Sequence, residues 1–248
     1  MVNIKLKKNK SILIVGASGF IGSETALRLS KAGYNVGLHF VNNVEKVKKI
    51  YSTINKISKA KIFQSDLKDY KSCKILIDSF AKEFNNLYGL AFCGGTIRWK
   101  NWNTLNANDW QKSFFEHCIV PFELSRLFSL KVKKNGRIVF LGSISPKYGG
   151  SNKSFNYATA KGALEIISKG LSKNLAKRKF CVNVVRSGFV NSPQQRKGRS
   201  RKEITRRIKK IPLGRAGYAD EIAFAISNLF AKESSFITGE IISVAGGD

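Results

Sequence analysis

The sequence predicts a single α/β domain of the doubly wound type, in which a seven-stranded parallel sheet is flanked by helices. Short apolar runs alternate with longer helical patterns along all 248 residues. The runs are almost continuously apolar rather than alternating, which is typical of strands that are covered on both faces. The chain contains no internal repeat and no linker of biased composition, so we predict one domain over residues 1–248.

Seven apolar runs bounded by Gly, Asn or Asp are the predicted strands. They are Ser11–Val15, Val36–Phe40, Lys61–Gln64, Leu87–Phe92, Arg137–Leu141, Cys181–Val185 and Glu240–Val244. Apolar residues at helical spacing predict six helices, at residues 20–32, 43–58, 70–84, 106–131, 155–178 and 219–231. The first run follows Lys5, Lys7, Lys8 and Lys10, as in a secretion signal. Because this run is short and leads into Gly16, we interpret it as a buried strand.

The first predicted strand leads into a glycine-rich turn, Gly16-Ala-Ser-Gly-Phe-Ile-Gly22, and a helix follows. Glycines let the backbone approach a pyrophosphate, and a helix N-terminus presents N–H groups and positive partial charge to it. In this strand–turn–helix context the turn predicts a dinucleotide site of the Rossmann type, and a packing turn is the alternative. The candidate contacts are Gly16, Ser18, Gly19, Phe20, Ile21 and Gly22.

The residues that end the second and third strands bear on the choice of cofactor. NAD-binding proteins usually carry a carboxylate after the second strand, whereas this chain has Asn42 there, with Lys46 in the next helical turn. We therefore prefer NADP and keep NAD as the alternative. Asp66 and Leu67 follow the third strand, where the Asp66 carboxylate can accept the adenine amino group; the alternative for Asp66 is a helix cap.

The chain is strongly basic: 44 Lys and Arg against 16 Asp and Glu give a net charge of +28. Such a charge suggests nucleic acid as a partner, but the basic residues are spread along the whole chain and 43% of all residues are hydrophobic, which excludes a disordered basic tail. The sequence contains no apolar run long enough to span a membrane. Because Cys73, Cys93, Cys118 and Cys181 form no CxxC pair, we expect neither a metal site nor a disulfide framework, and we expect a reducing, cytoplasmic location.

Several motifs, spread over essentially the whole chain, together resemble the short-chain dehydrogenase/reductase family. They are the glycine turn, Asp66-Leu67, Gly136–Ser143, Tyr157-Ala-Thr-Ala-Lys161, Val182–Gly188, Ile211–Arg215, Ile237–Gly239 and Gly246-Gly247. The resemblance implies that Tyr157 exchanges a proton with a substrate carbonyl while NADPH or NADH gives a hydride. It also implies that Ser143 hydrogen-bonds the same oxygen and that Lys161 holds the nicotinamide ribose. Ser145 is the alternative to Ser143, because the interval from Ser143 to Tyr157 is about one residue long for the family.

The Tyr-x-x-x-Lys spacing has a chemical reason. Positions i and i+4 share one helix face, so Lys161 is placed beside Tyr157, and a nearby ammonium is predicted to lower the phenol pKa from its usual value near 10. The spacing alone is weak evidence, because Tyr70 and Lys74 repeat it without the surrounding motifs. Ordinary helix-surface residues are the alternative for Tyr157 and Lys161.

Other positions depart from the family pattern. The usual Asn-Asn-Ala-Gly is Phe92-Cys-Gly-Gly95, and the helix asparagine that the family uses in a proton relay is His117. For His117, a relay role and a hydrogen-bonded core histidine are both open. Glycines 16, 19 and 22 have the spacing of the family's extended members, which include epimerases and dehydratases. The remaining cofactor contacts that the resemblance implies are Cys93, Gly95, Gly188, Val190 and Ser192, beside Tyr157 and Lys161.

The resemblance implies a carbonyl reductase similar to 3-oxoacyl-[acyl-carrier-protein] reductases, acting on a small-molecule or acyl-carrier-linked substrate. Lys133, Lys134 and Arg178 fall where such reductases dock acidic carrier proteins. Family members usually form homotetramers through the helices predicted at 106–131 and 155–178. The alternatives are a nucleic-acid-binding or regulatory protein with little turnover, against which the spread of basic residues argues, and a nucleotide-sugar epimerase or dehydratase.

Residues 191–212 are predicted to be a basic insertion that closes over the substrate. Nine of the fifteen residues from Arg196 to Lys210 are Lys or Arg, and Glu203 is the only acid among them. The segment follows the sixth predicted strand, and open α/β sheets bind ligands beyond the carboxyl ends of their strands. The substrate is therefore predicted to be anionic, and a solvated basic helix is the alternative.

Overall fold

In a computed structural model, which describes residues 9–248, the chain folds around one seven-stranded sheet. The strands are β1 (Ser11–Val15), β2 (Asn35–Phe40), β3 (Ala60–Gln64), β4 (Leu87–Phe92), β5 (Arg137–Ser143), β6 (Cys181–Ser187) and β7 (Ile241–Val244). Their order across the sheet is β3-β2-β1-β4-β5-β6-β7, and all six pairings are parallel. The predicted fold class is confirmed. Lys5, Lys7 and Lys8 lie outside the described residues.

Most of the α-helices lie on the two faces of this sheet. They are α1 (Phe20–Lys31), α2 (Val44–Ile54), α3 (Tyr70–Glu83), α4 (Ala107–Phe114), α5 (Val120–Lys131), α6 (Phe155–Leu175), α7 (Pro193–Gly198), α8 (Arg201–Ile208) and α9 (Ala219–Asn228). Asp69 caps α3, because its carboxylate accepts a hydrogen bond of 2.7 Å from the Ser72 backbone N–H. Asp66 is therefore not a helix cap, and this alternative was wrong.

The helix predicted over residues 106–131 is present, but it is not α-helical throughout. A π-helical turn, Phe115–Ile119, joins α4 to α5. A π turn inserts one extra residue into the helical repeat and shifts every following side chain around the axis. The turn buries His117 and Cys118 on the side of α6, and the Cys118 thiol donates a hydrogen bond of 3.0 Å to the Ala160 carbonyl.

Both faces of the sheet are buried, which explains why the strands lack polar alternation. On β1, Ile12 and Ile14 pack in the apolar layer formed with α1, α2 and α9, whereas Leu13 and Val15 pack in the layer formed with α3, α5 and α6. All four side chains are at most 2% exposed. Fully burying such side chains stabilises the fold by roughly 1.5–3 kcal/mol each.

The strand order reverses between β1 and β4. The chain runs outward from β1 through β2 to β3 and then crosses to β4 on the other side of β1. The loops after β1 and β4 therefore diverge from one point at the carboxyl edge of the sheet, and such a point is where doubly wound proteins bind ligands.

Several large apolar side chains remain exposed on the outer side of the α4–α6 region. They are Ile119, Phe122, Leu130 and Ile166. The homotetramer interface predicted for these helices stays a prediction. Within residues 9–248, no helix combines the length and the apolar character needed to cross a bilayer.

Candidate active site

The glycine-rich turn closes tightly between β1 and α1. Gly16 has a φ of +80°, a left-handed conformation that favours glycine, and the Gly19 N–H donates a hydrogen bond of 2.9 Å to the Gly16 carbonyl. A Cβ atom at Gly22 would lie 2.2 Å from that same carbonyl oxygen. Among the described residues, no side chain caps α1 and no carboxylate lies in its first turn, so its first N–H groups can donate hydrogen bonds to an anion.

His39, at the end of β2, holds the glycine turn in place. The Gly16 N–H points to its Nδ1 at 3.4 Å, and its Nε2 lies 3.0 Å from the Ser65 carbonyl oxygen. Nδ1 must therefore accept and Nε2–H must donate, which requires the neutral ring. Burial lowers the pKa of His39 to about 4, against the raising effect of the bond to Ser65. Sequence analysis assigned no role to His39, although a histidine in an apolar strand is a signal for a polar contact.

His39 should make folding stability fall as the pH is lowered. Its pKa is about 4 in the folded state and 6.5 in the unfolded chain, so the unfolded state binds the extra proton between these values. Stability from this group is fully present above about pH 6.5 and is lost as the pH falls toward 4. The free energy of unfolding falls between pH 7.5 and pH 4.5, and about 2–3 kcal/mol of that fall should come from His39. In His39→Gln we expect the fall to be smaller by this amount.

Urea unfolding of both proteins at the two pH values measures this effect. The other titrating groups, including buried His117, are common to both chains and cancel in the difference. Equal pH dependence in the two proteins would contradict the assignment.

The cofactor candidates at the ends of β2 and β3 share one edge of the site. Asn42 and Asp66 are exposed and Leu67 is partly buried. The neighbouring Asn43 is already engaged, because its side chain caps α2 by accepting from the Lys46 backbone N–H at 3.1 Å. This edge therefore offers Asn42 and Asp66, with no carboxylate in the position after β2.

The other cofactor candidates lie where β4 and β6 end. Gly95 has a φ of +114°, and a Cβ atom there would lie 2.4 Å from the His117 ring. A Cβ atom at Gly188 would lie 2.5 Å from the Ala245 Cα, so both glycines are required by close packing. Cys93 and Val190 are buried. The Ser192 hydroxyl caps α7 by accepting from the Gln195 N–H at 3.3 Å and keeps its own O–H as a donor, so its cofactor role stays a prediction.

The structure brings Ser143, Tyr157 and Lys161 together. Ser143 ends β5, and Tyr157 and Lys161 lie one turn apart on α6. The Ser143 hydroxyl accepts a hydrogen bond of 3.1 Å from the Ser145 backbone N–H, and its interaction with the Tyr157 phenol lowers the pKa of that phenol. The Lys161 ammonium lies 6.0 Å from the centre of the Tyr157 ring and donates to the Leu141 carbonyl at 2.7 Å. Ser143 and not Ser145 influences the pKa of the phenol, and the catalytic role of Ser143 stays a prediction.

The electrostatics of this set differ from the prediction. Burial raises the pKa of Tyr157 to about 12, and the hydrogen bond with Ser143 lowers it by less. The predicted lowering by Lys161 was wrong for this state of the protein, because desolvation outweighs the distant ammonium. Burial also lowers the pKa of Lys161 to about 8, so both groups are mainly protonated at neutral pH.

His117 lies directly beside Tyr157. The two rings meet edge to face with their centres 5.0 Å apart. His117 Nε2 lies 3.3 Å from the Thr96 carbonyl, and burial lowers its pKa well below the usual value, so the ring is neutral. Its Nδ1 is buried without a hydrogen-bond partner among the described residues. The structure therefore places His117 as a neutral neighbour of the phenol, and its relay role stays a prediction.

A buried ion pair that sequence analysis missed orients α6. Arg186 on β6 donates two hydrogen bonds, of 2.8 and 2.7 Å, to the two carboxylate oxygens of Glu165. Glu165 lies one turn beyond Lys161 and two turns beyond Tyr157, on the same helix face. The pair thus fixes the face that carries Tyr157 and Lys161 against the sheet. In the sequence, only the i+4 spacing between Lys161 and Glu165 indicates that Glu165 lies on this face.

A cavity of about 820 Å³ opens next to Ser143. Its floor includes Ser143 and Gly188, and its outer wall is the basic insertion, which folds into α7 and α8. Trp99 anchors this lid, because its indole N–H donates to the Gln194 carbonyl at 3.3 Å and its ring leaves no room for a Cβ atom at Gly198. The volume lies within the roughly 300–1,000 Å³ typical of small-molecule sites.

Arg178, which was predicted to dock an acidic carrier, has another role. Its Nε donates to the Lys133 carbonyl at 3.1 Å, and its Nη2 donates to the carbonyls of Ser129 and Val132. The guanidinium therefore donates hydrogen bonds to backbone carbonyl groups at the end of α5 and in the following loop. These bonds use Nε and Nη2, and the predicted role of Arg178 in docking a carrier stays a prediction.

Comparison with known proteins agrees with this geometry. A family model described as enoyl-(acyl carrier protein) reductase matches residues 16–248. The chain is 27% identical over 246 residues to the 3-oxoacyl-[acyl-carrier-protein] reductase FabG of Aggregatibacter actinomycetemcomitans, which covers 96% of this chain and 99% of that protein. It is 31% identical over 245 residues to the oxidoreductase YmfI of Bacillus subtilis, covering 96% and 98%.

Solved structures show the same fold. A short-chain dehydrogenase from Burkholderia cenocepacia J2315, in complex with NADP, has a TM-score of 0.91 at 23% identity and covers 98% of this chain and 99% of its own. A dehydrogenase/reductase from Sinorhizobium meliloti has a TM-score of 0.91 at 24% identity, covering 97% and 95%. On the family model and the curated relatives, the chain belongs to the short-chain dehydrogenase/reductase family.

Proposed function

We propose that this protein reduces a carbonyl group to an alcohol with a nicotinamide dinucleotide as hydride donor, NADPH in preference to NADH. One observation carries the proposal: the glycine turn and the Ser143–Tyr157–Lys161 set lie at the same carboxyl edge of the sheet, on either side of the point where the strand order reverses. A dinucleotide site next to an acid–base set is the arrangement that hydride transfer to a carbonyl requires.

The residues at the glycine turn fit a dinucleotide. Gly16, Gly19 and Gly22 allow a turn so tight that a Cβ atom at position 22 would clash with the Gly16 carbonyl oxygen, and the uncapped N-terminus of α1 offers N–H donors there. Asn42 and Asp66 would bind the adenosine part. When bound, the reduced nicotinamide supplies the hydride for the reaction.

Tyr157 is the proton donor in this proposal. Its phenol is protonated at neutral pH because burial raises its pKa to about 12, so it can donate to the carbonyl oxygen as charge develops there. The Ser143 hydroxyl donates a second hydrogen bond to the same oxygen. The Lys161 ammonium, held by the Leu141 carbonyl, favours the phenolate that remains and has two further N–H donors for the ribose hydroxyls.

The preference for NADPH is supported by the absence of an acidic residue after β2. A carboxylate there would accept the ribose hydroxyls of NADH and repel a 2′-phosphate, whereas Asn42 does neither. The first turn of α2 carries Lys46 beside Glu45, so it contributes one cation and one acid near this edge. The structural relative from Burkholderia cenocepacia is itself a complex with NADP.

For the substrate we propose a carbonyl compound that is a small molecule or is linked to an acyl carrier. The FabG relatives, which are named as 3-oxoacyl-[acyl-carrier-protein] reductases, support the second class. Lys133 and Lys134 remain exposed and could contact an acidic carrier. The description of the family model also favours testing an enoyl thioester, in which a carbon–carbon double bond is reduced.

Cofactor binding and turnover together test the proposal. NADPH at about a hundred times its dissociation constant should raise Tm by about 5–10 °C, and NADH should bind more weakly. Loss of NADPH absorbance should then be followed with a panel containing an acetoacetyl thioester, a crotonyl thioester, simple ketones and oxo acids. We expect turnover of a carbonyl member of the panel.

Two results would overturn the proposed function. Absence of a Tm shift with either nucleotide would exclude the dinucleotide site. Nucleotide binding with turnover of the crotonyl thioester alone would replace carbonyl reduction by reduction of a carbon–carbon double bond.

A further inference from the structure

The cavity beside Ser143 has a cationic wall whose acids are already engaged. Among its lining residues, the Asp248 carboxylate pairs with Arg207 and accepts from the Tyr148 hydroxyl at 3.0 Å. The Glu203 carboxylate accepts from the backbone N–H and the hydroxyl of Ser200, which caps α8. The lining keeps an excess of positive charge, because five basic residues (Lys153, Arg199, Arg206, Arg207 and Lys210) face only these two carboxylates.

Arg199 occupies a distinct position in this wall. Its guanidinium lies over the Trp99 ring at 4.5 Å and lies 5.6 Å from the centre of the Phe189 ring. One of its terminal nitrogens, Nη1, is buried and has no hydrogen-bond partner among the described residues. No carboxylate of residues 9–248 forms a salt bridge with it. The other unpaired cations of the wall, Lys153, Arg206 and Lys210, are exposed to solvent.

This arrangement is unfavourable unless an anion completes it. Burial lowers the pKa of Arg199, and the nearby charge of Arg207 acts in the same direction, whereas the Glu203 carboxylate opposes them by less, so desolvation works against the cation. A buried donor without an acceptor loses its hydrogen bonds to water and regains none. A guanidinium that is fixed by aromatic stacking is at the same time preorganised for a planar, two-oxygen acceptor.

We propose that Arg199 binds a carboxylate or phosphate group of the substrate, so that the carbonyl compound reduced here is an anion with its charge at the lid end of the cavity. The inference rests on the proposed function, because Ser143 and Gly188 line the same cavity and would hold the carbonyl end. Arg199 is then a specificity-determining residue. A carboxylate and a phosphate both offer the guanidinium two oxygens at similar spacing, and separate titrations with each anion distinguish them.

Anion binding can be measured without turnover. Glutarate and inorganic phosphate, which cannot be reduced, should each be titrated at about 0.15 M salt, where the Debye length of about 8 Å suppresses non-specific attraction to the basic surface. Trp99 stacks on Arg199, so its fluorescence reports occupation, and Trp99→Phe identifies this signal. We expect saturable binding of at least one anion that weakens about tenfold to a hundredfold in Arg199→Met.

Arg201→Met is the matched control. Arg201 is two residues away in the same lid, is exposed and does not line the cavity. This variant loses the same charge and should bind the anions like the unchanged protein.

Turnover then assigns the anion to the substrate. Levulinate should be compared with its methyl ester, and dihydroxyacetone phosphate with dihydroxyacetone, through the loss of NADPH absorbance. In at least one of these two pairs, the charged compound should have the higher kcat/KM. Arg199→Met should lower kcat/KM for the charged compound and leave kcat/KM for the neutral compound almost unchanged. A role in packing alone would lower kcat/KM equally for both members of a pair.

The outcomes separate this inference from the proposed function. Anion binding that is absent, or equal in Arg199→Met and Arg201→Met, overturns the inference even if neutral carbonyl compounds are reduced. Anion binding that requires Arg199, with no carbonyl turnover at all, keeps the anion site and overturns the proposed reaction.

Discussion

Replacing Tyr157 with phenylalanine should lower kcat for carbonyl reduction by about 10²–10⁴-fold, the range expected for removing a general acid. The phenol is protonated at neutral pH, and its interaction with Ser143 lowers its pKa only partly, whereas phenylalanine keeps the ring that packs edge to face on His117. Cofactor affinity should change little, because the glycine turn is untouched. Stopped-flow measurement of a single turnover, with NADPH binding measured separately, tests both statements.

Tyr70→Phe is a control that the chain itself provides. Tyr70 and Lys74 have the same spacing as Tyr157 and Lys161, but Tyr70 is 51% exposed at the start of α3 and Lys74 pairs with Asp78. This variant should retain full turnover. If Tyr157→Phe kept more than about a tenth of kcat, the proton would have to come from another group, and the assignment of Tyr157 would fail.

The contrast between these two tyrosines shows what a motif predicts and what it does not. Four residues of spacing place two side chains on one helix face wherever the helix lies. Only the fold decides whether that face is buried against a strand end or exposed to solvent. The surrounding motifs, rather than the spacing, therefore carried the prediction for Tyr157.

The fold itself was predictable because the strands are buried on both faces. Continuous apolar runs such as Ser11–Val15 have few alternative environments, and the glycine turn fixes where the first strand ends. The π turn at Phe115–Ile119 was not predictable, because the helical residues on both sides of it continue one apolar pattern. The hydrogen bond from Cys118 to the Ala160 carbonyl depends on that turn and on the distant α6.

Charges were the least predictable part of the site. The sequence places nine basic residues between Arg196 and Lys210 without distinguishing them. The fold selects one of them, because Trp99 and Phe189 come from loops after two different strands and enclose Arg199 between them. The pKa of Tyr157 depends in the same way on burial by the whole fold, and not on its neighbour four residues away.

The cofactor site depends most sharply on Gly22. In Gly22→Ala, the new Cβ atom would lie 2.2 Å from the Gly16 carbonyl oxygen and 3.0 Å from its carbon. Both neighbours are backbone atoms, so the turn itself must shift, which typically lowers the free energy of unfolding by about 1–3 kcal/mol. The N–H groups of the turn and of α1 would move with it. Because charge-assisted hydrogen bonds contribute about 1.5–3 kcal/mol each, we expect NADPH affinity to fall at least about tenfold.

Gly170→Ala separates this effect from the general effect of adding a methyl group. Gly170 lies on the exposed side of α6 with no atom within 4 Å of the added Cβ, so alanine should raise the free energy of unfolding by about 0.5–1 kcal/mol through its helix propensity. Calorimetric titration with NADPH, together with urea unfolding of both variants, measures the two quantities. Unchanged NADPH affinity in a folded Gly22→Ala protein would mean that the dinucleotide does not bind at this turn.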